Sequence, residues 1–358
     1  MKSFSDYIVD INRLQKNADN IRSCLNSGVK MCAVVKANAY GIGLESVCKA
    51  LKGRVDFFAC ACLKEALQIR VFDKKTKILV LGCVDEEDYK IIEENNISIS
   101  IGSLNQVNSI LNKEIKHINI HLQVNTGLNR FGFRSINVFK DAIKKIENDG
   151  RINIEGVYSH FATKSEDVGF MNKQYFRFLQ FKKILKGKDI LFHIANSYGL
   201  VHSNKFHFDM VRSGFLLYGF MENNIGNTPV MQIKSKIIHI LDLKTGDSVG
   251  YSRTFKTNKS MKLGIVPLGY ADGINRQLSN KFSVLIGGVR CKIVGMICMD
   301  VFMVDLSNVK AKLYDEVVII GNSKGQEITI QEMANVIGTS PYEVLCDFNY
   351  KRMNYLKK

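Results

Sequence analysis

Proline and cysteine are scarce in this chain, and it contains no long apolar run. Its 358 residues include only three prolines and nine cysteines, and no two cysteines form a C-x-x-C pair. This composition excludes a disulfide scaffold and a proline-rich disordered tract, and it favours reduced thiols. No apolar run approaches the roughly 20 residues that a membrane span needs. We therefore expect a globular protein of the cytoplasm with no membrane partner.

Acidic residues are also in deficit. The chain has 50 Lys and Arg against 34 Asp and Glu, which gives a formal net charge of +16. Such an excess makes nucleic acid a candidate partner. However, the lysines are scattered through mixed stretches such as residues 141–147, and neither a localised basic stripe nor an aromatic platform is visible. We expect no nucleic-acid partner and interpret the excess as a solvated basic surface.

The first 220 residues repeat a strand and helix pattern. Short β-branched runs alternate there with amphipathic stretches such as Leu44–Leu51 and Asn172–Leu185, as in a parallel sheet. Eight such units predict a TIM (β/α)8 barrel within an α/β fold. The predicted strands are Val29–Val35, Asp56–Cys62, Lys77–Leu81, Ile97–Ile101, Ile118–Val124, Ile154–His160, Ile190–Ala195 and Phe206–Arg212.

The pattern changes after the polar, turn-rich stretch 221–229. Strands then follow one another with few helices between them, which predicts a C-terminal β-rich domain. We place the boundary so that residues 1–225 form the barrel domain and residues 226–358 the β-rich domain. Its predicted strands are Ile233–Leu241, Ser248–Phe255, Leu263–Leu268, Ser283–Ile286, Cys291–Val294, Phe302–Val304 and Glu316–Ile320. Helices are predicted to begin after Thr329 and Ser340.

Polar residues follow five of the predicted barrel strands. The C-terminal ends of barrel strands surround one opening, where chemistry collects in this fold. A lysine held there can form a Schiff base, and the loops after strands seven and eight commonly bind phosphate. A lysine combined with a phosphate site points to pyridoxal phosphate. The residues concerned are Lys36, Arg130, His160, Asn196 with Ser197, and Arg212.

Seven motifs, in order along nearly the whole chain, resemble those of the alanine racemases, the fold type III pyridoxal phosphate enzymes. The resemblance implies an amino acid racemase that uses pyridoxal 5'-phosphate and interconverts L- and D-alanine. The motifs lie at 33–43, 159–163, 193–197, 211–219, 249–253, 269–273 and 299–300.

The resemblance also implies roles for single residues. Racemisation removes the Cα proton from one face and returns it on the other, so two acid/base groups are needed. Lys36, which also holds the cofactor, is similar to one base, and Tyr251 is similar to the other. His160 and Arg212 resemble the residues that link Tyr251 to the cofactor ring, with Arg212 facing the pyridine nitrogen.

Further residues match the cofactor and substrate contacts of the family. The cofactor contacts implied by the resemblance are Tyr40, Asn196, Ser197, Gly214, Phe215 and Tyr350, and the substrate contacts are Arg130, Met299 and Tyr270. In this family Tyr251 reaches the site of a partner chain, so the resemblance implies a homodimer with shared active sites. It also implies a role in supplying D-alanine for peptidoglycan.

Two residues depart from the family pattern. Gln123 replaces a lysine that is often carbamylated and braces the substrate-binding arginine, and Asn125 replaces a common Asp. A glutamine carbonyl can accept from Arg130, but more weakly than a charged group. A racemase of broader range, acting for example on serine, and a related fold type III decarboxylase remain alternatives. Arg212 argues against the decarboxylase, which has an acidic residue at that position.

A metal centre is not predicted. His117 and His121 have the spacing of metal ligands on a helix. The residues between them alternate as in a strand, where two histidines four residues apart do not form that arrangement. We therefore expect no metal ion to be held there.

Overall fold

The computed structural model describes residues 3–163, 165–222 and 224–358. It divides into two compact units. The barrel unit comprises Leu14–Ala39 and Gly43–Asn227, and the C-terminal unit comprises Met1–Arg13, Tyr40–Ile42 and Thr228–Lys358. The C-terminal unit thus includes two short segments from the N-terminal part of the sequence, whereas the boundary predicted at residue 225 remains a prediction.

The barrel predicted from the sequence is confirmed. Eight parallel strands form one sheet in the order β8-β7-β6-β5-β4-β3-β2-β9. The backbone N–H groups of Asp209 and Arg212 donate to the carbonyls of Phe192 and Ala195, each at 3.0 Å, and bring the last strand beside β8. Numbered along the chain, β1 (Asp6–Val9) lies in the C-terminal unit, and the barrel strands are β2 (Lys30–Val34), β3 (Phe57–Cys60), β4 (Lys77–Val80), β5 (Ser98–Ile101), β6 (Ile118–Gln123), β7 (Ile152–Tyr158), β8 (Leu191–His193) and β9 (Met210–Ser213).

Helices connect these strands, and side-chain caps explain where several of them begin. Ser103, Ser135 and Asp167 each accept a hydrogen bond from a backbone N–H of the first helical turn. The helices are α1 (Ile11–Ser23), α2 (Lys36–Tyr40), α3 (Leu44–Leu51), α4 (Leu63–Phe72), α5 (Tyr89–Glu94), α6 (Leu104–Leu111), α7 (Ile136–Asp149), α8 (Val168–Ile184) and α9 (Ser197–His202). In the described part of the chain, no helix combines the length and the apolarity that crossing a membrane requires.

The eighth predicted strand was placed too early. Its predicted start, Phe206, lies in a 3-10 turn (Asn204–Phe206), and the strand begins at Met210. Phe206 is fully buried, and its ring packs against Phe161 and Tyr175. An apolar residue that is buried by a turn cannot be distinguished by sequence pattern from one that is buried in a strand.

The C-terminal unit is rich in β-structure, as predicted. Its largest sheet has the order β16-β15-β18-β10-β1-β20, with β19 paired to β18, and its smaller sheets are β11-β14-β17 and β12-β13. Its strands after β1 are β10 (Met231–Lys236), β11 (His239–Leu243), β12 (Ser248–Val249), β13 (Phe255–Lys256), β14 (Met261–Val266), β15 (Ser283–Ile286), β16 (Val289–Lys292), β17 (Phe302–Asp305), β18 (Glu316–Ser323), β19 (Gln326–Ile328) and β20 (Asn354–Lys357). The helices α10 (Ile330–Ile337) and α11 (Pro341–Asp347) begin after Thr329 and Ser340, as predicted.

Two long strands predicted in this unit were wrong. The stretch Ile233–Leu241 is divided between β10 and β11. The stretch Ser248–Phe255 is interrupted by a 3-10 turn, Tyr251–Arg253, which separates β12 from β13. Gly250, Ser252 and Arg253 have positive φ angles of 70°, 59° and 51°, which a strand cannot accommodate. Tyr251 therefore lies at the tip of a hairpin.

Candidate active site

Four of the predicted site residues converge at the barrel mouth, the opening surrounded by the C-terminal ends of the strands. Lys36 follows β2, Arg130 lies in the loop after β6, His160 follows β7, and Arg212 lies in β9. Burial, together with the positive charges of Arg212, Arg130 and Lys36, lowers the pKa of His160 to about 3. His160 is therefore a neutral imidazole surrounded by three cations.

Arg212 is held by a dense set of buried acceptors. Its Nη1 donates to His193 Nδ1 at 2.6 Å, and its Nη2 donates to the carbonyl of Ser159 at 2.7 Å and to His160 Nδ1 at 3.3 Å. The Arg212 Nε–H has no hydrogen-bond partner among the described residues. Because the guanidinium only donates, that N–H is the one it has available for an acceptor on a bound molecule.

A group of backbone donors lies beyond β9. The N–H groups of Gly214 and Leu216 both donate to Ser197 Oγ, at 3.2 and 3.3 Å. Asn196 caps the short helix α9 by accepting from the Gly199 N–H at 3.0 Å. Phe215, between the two donors, is buried. Because Ser197 Oγ accepts both N–H groups, its hydroxyl hydrogen remains to donate to an anion such as a phosphate.

The segment after Lys36 has an unusual backbone conformation. Residues 37–40 have φ angles of 53–57°, so α2 is a single left-handed turn. Left-handed helical conformation is costly for L-residues and persists where the surroundings enforce it. Glu65 provides such support, because its carboxylate accepts from the N–H groups of Ala37 and Ala61 at 2.6 and 2.8 Å. The backbone beside Lys36 is thereby held in one conformation.

Arg130 lies in an exposed loop whose start is ordered by Asn125. The Asn125 side-chain oxygen accepts from the N–H groups of Gly127 and Asn129, at 3.0 and 3.2 Å. Gln123 is buried at the end of β6. Within the described residues no hydrogen bond joins Gln123 to Arg130, so the contact considered from the sequence is not formed here. The protein organises this loop through Asn125 rather than through Gln123.

In the C-terminal unit, three more predicted residues share one neighbourhood. The N–H of Tyr270 donates to Cys298 O, and the N–H of Ala271 donates to Met299 O, both at 3.1 Å. Gly250, which precedes Tyr251, lies against the backbone of Met296. The hairpin tip and the Tyr270 turn therefore both pack on segment 296–299. Tyr251 is 70% exposed and Met299 52% exposed, so both present apolar surface to solvent.

The two predicted tyrosines Tyr40 and Tyr350 also lie in the C-terminal unit. Tyr40 is buried, and its ring packs against Tyr342 at 5.8 Å between centroids; burial raises its pKa above the usual range. Tyr350 packs against Tyr7 at 5.6 Å. Tyr350 begins a 3-10 turn that ends at Arg352.

Arg352 connects two of these segments and was not predicted. Its guanidinium bonds to Asp300 at 2.6 Å and to Asp272 at 3.2 Å, so it links the turns that contain Met299 and Tyr270. In the barrel unit, His193 and Glu155 were likewise not predicted as site residues, and His121 was weighed only as a metal ligand. The available signal was the presence of polar residues inside otherwise apolar strands, which indicates inward-facing polar groups.

Comparison with known proteins gives a consistent result. The chain matches the family models described as alanine racemase, N-terminal domain, over residues 9–222, and alanine racemase, C-terminal domain, over residues 230–355. It is 35% identical to alanine racemase 2 of Caldanaerobacter subterraneus over 94% of this chain and 91% of that protein. It is 36% identical to an alanine racemase of Methanococcus maripaludis, over 94% of each. The solved alanine racemase from E. faecalis superposes with a TM-score of 0.94 at 29% identity, over 99% of this chain and 98% of that one.

Proposed function

The chain belongs to the alanine racemase family and interconverts L- and D-alanine, and we propose that it does so with pyridoxal 5'-phosphate held by Lys36. The observation that supports this most is the set of donors in the barrel unit. The Arg212 Nε–H suits an aromatic ring nitrogen, and the Ser197 hydroxyl, held by the N–H groups of Gly214 and Leu216, suits a phosphate. The residues present therefore fit this cofactor.

The remaining cofactor contacts are proposed from the family pattern. Asn196 would orient the Ser197 turn, and Phe215 would contribute to the phosphate site through its backbone. Tyr40 and Tyr350 would each provide a hydroxyl to the phosphate. Neutral donors satisfy a phosphate without placing a competing charge near the reacting carbon.

The proposed chemistry uses two opposed bases. When bound, pyridoxal phosphate withdraws electrons from Cα of the amino acid and so acidifies its Cα–H bond. The Lys36 amine would exchange that proton on one face, and the Tyr251 phenol oxygen on the other. The Nδ1 of neutral His160 accepts from Arg212, which leaves its Nε2–H to donate to the tyrosine oxygen. Arg130, Tyr270 and the Met299 backbone would hold the substrate carboxylate.

Arg212 favours racemisation over the alternative of decarboxylation. An arginine stays protonated, so a ring nitrogen facing it remains unprotonated and the ring withdraws electrons less strongly. Side reactions that need a strong electron sink are thereby suppressed. Substrate range is a separate matter: because Gln123 gives Arg130 no hydrogen bond, we propose that small amino acids other than alanine, such as serine, are also accepted.

We also propose a homodimer in which Tyr251 enters the active site of the partner chain. The support is the exposure of Tyr251 at a hairpin tip, with Met299 exposed in the same neighbourhood. An exposed catalytic phenol would need a second surface to exclude water and to stabilise its ionised form. We further propose a cytoplasmic enzyme that supplies D-alanine for peptidoglycan; its nine cysteines are all free thiols, as a reducing compartment maintains.

A cofactor-loading experiment tests the proposal. The purified chain is incubated with pyridoxal phosphate, its visible absorption is recorded, and D-alanine formed from L-alanine is measured by chiral chromatography, with L-serine in parallel. We expect a yellow protein, labelled at Lys36 after borohydride reduction, and no label or activity in Lys36→Ala. A protein that takes up no pyridoxal phosphate would overturn the proposed cofactor role.

Mixed dimers test the shared site. We expect Lys36→Ala and Tyr251→Phe chains to be nearly inactive alone and to recover activity when combined, because one of the two sites in the mixed dimer is then intact. Absence of recovery in mass-verified mixed dimers would contradict the assignment of Tyr251 to the partner's site.

A further inference from the structure

Arg212 is a buried cation without a direct ion pair. It is only 3% exposed, and no carboxylate lies within ion-pair distance of it in the described structure. Removing a charge from water without an opposite charge is costly. Its neighbours are neutral imidazoles, carbonyl groups and the Tyr158 ring, whose centroid lies 5.1 Å from Cζ. None of these carries a full negative charge, so a compensating carboxylate must lie further away.

A hydrogen-bonded chain leads from Arg212 through the barrel interior to a carboxylate. Arg212 bonds to His193, His193 Nε2 lies 2.9 Å from His121 Nδ1, and His121 Nε2 lies 3.2 Å from Glu155 Oε2. Both histidines are fully buried. Glu155 also accepts from Ser98 and forms an ion pair with Lys77, each at 2.5 Å. The Lys77 side chain is 57% exposed and that of Glu155 only 9%, so solvent screens the lysine charge more than the carboxylate charge. Lys77 is at the start of β4, so the chain runs from the barrel mouth to the opposite end of the barrel.

The two ends of this chain determine the direction of every hydrogen bond. The guanidinium can only donate, and an ionised carboxylate can only accept. His193 must therefore accept from Arg212 at Nδ1 and donate from Nε2 to His121 Nδ1. His121 must in turn donate from Nε2 to Glu155. Burial lowers the pKa of both histidines and keeps them neutral, while the bonds to Glu155 outweigh its burial and hold its pKa at about 2. Both imidazoles are thus Nε2–H tautomers.

Local backbone features make room for this arrangement. Ile120 pairs with Ile154, and His121 pairs with Gly156, so Glu155 is the extra residue of a β-bulge in β7. Bulges redirect side chains and occur beside active sites. A Cβ on Gly156 would lie 2.2 Å from His121 Nδ1, so only glycine leaves space for that ring. The bulge at Glu155 and the missing side chain of Gly156 thus both serve the contact between His121 and Glu155.

We propose that Glu155 is the remote counter-ion of Arg212 and that His193 and His121 are positioning residues that connect the two. This series of hydrogen bonds is not a path for protons, because Arg212 at its end does not deprotonate. A carboxylate in direct contact would occupy the guanidinium N–H groups and neutralise their charge. A remote one compensates the buried charge and leaves the Nε–H of Arg212 available at the barrel mouth.

This inference rests on the proposed role of Arg212, and a double-mutant cycle tests it. Glu155→Gln removes the negative charge but keeps an acceptor for the His121 Nε2–H. We expect it to lower kcat/KM for L-alanine about tenfold. It should also weaken retention of pyridoxal phosphate in dialysis. In an Arg212→Lys background the same change should have less than about a twofold effect, because it acts through Arg212. An equal loss in both backgrounds would overturn the inference.

Glu147→Gln is the matched control. Glu147 is a half-exposed carboxylate of the same unit, paired with Lys188 on the surface. Exposed pairs of this kind contribute little, so we expect wild-type kinetics and cofactor retention from this variant.

Nitrogen NMR of the histidine rings gives a readout that needs neither cofactor nor activity. In the full-length protein without pyridoxal phosphate, His121 and His193 are expected as neutral Nε2–H tautomers. An Nδ1–H tautomer or an imidazolium at either ring would overturn the inference even if Glu155→Gln failed to fold. If the expected tautomers are found but the protein binds no pyridoxal phosphate, the cofactor proposal fails while the hydrogen bonds from Arg212 to Glu155 stand.

Discussion

Acidifying the cofactor-free protein from pH 7 to pH 5 is expected to destabilise it through three buried histidines. Burial and nearby positive charge hold the pKa of His160 at about 3 and that of His193 well below its usual value of 6.5, and burial also lowers the pKa of His121. In the unfolded chain these rings gain a proton below about pH 6.5. Stability is therefore fully present above pH 6.5 and falls as the pH drops below it.

The size of the effect follows from proton linkage. A histidine that stays neutral in the folded state but has an ordinary pKa when unfolded loses about 2 kcal/mol of stability between pH 7 and pH 5. His160 accounts for about 2 kcal/mol, and His193 and His121 add in the same direction. Glu155 contributes only at lower pH, because its folded pKa is about 2 and its unfolded pKa is ordinary.

Urea unfolding at pH 7, 6 and 5, at one protein concentration, measures this dependence. We expect His193→Gln, whose amide does not titrate, to lose less stability over this range than the wild type. The exposed His117 provides the control, since His117→Gln should retain the full dependence. A free energy of unfolding that stays level down to pH 5, or the same slope in His193→Gln and wild type, would refute the reasoning.

Three substitutions test the packing around the site. In Gly269→Ala, the new Cβ would lie 2.2 Å from Met299 O, so the backbone must shift; we expect a raised KM for alanine and a lower melting temperature. In Gly156→Ala, displacement of the His121 ring should cost about 1–3 kcal/mol in urea unfolding. Gln174 binds Thr126, the His160 carbonyl and the Ala162 N–H, so Gln174→Leu should cost about 3 kcal/mol and lower kcat.

Gly169→Ala is the control for the two glycine substitutions. Gly169 lies in helix α8, and a Cβ there would meet only an Asp167 oxygen at 3.6 Å. Alanine is preferred to glycine within helices, so we expect stability that is unchanged or raised by up to about 1 kcal/mol. Wild-type stability in Gly269→Ala or Gly156→Ala would show that the surrounding backbone gives way at little cost. Wild-type kcat in Gln174→Leu would remove Gln174 from the support of His160.

The barrel could be predicted from the sequence, but the strand boundaries around the site could not. The eight barrel strands are buried apolar runs separated by amphipathic helices, and this local pattern is sufficient to identify them. Tyr251 was placed in a continuous strand because residues 248–255 are rich in strand-forming types. The turn that interrupts them depends on the positive φ angle of Gly250, whose lack of a Cβ lets it pack on Met296. That packing involves residues nearly 50 positions away, and no local pattern reports it.

The sequence by itself determined the class of fold, the motif residues and the positions at strand ends where Lys36, His160 and Arg212 lie. These properties depend on local periodicity and on the order of residues along the chain. Only the tertiary structure decided which polar groups meet. Arg212, His193, His121 and Glu155 come from four strands, and their hydrogen bonds form because the barrel brings these strands around one interior. The direction of those bonds is set by the charges at the two ends, and that relation exists only in the folded chain.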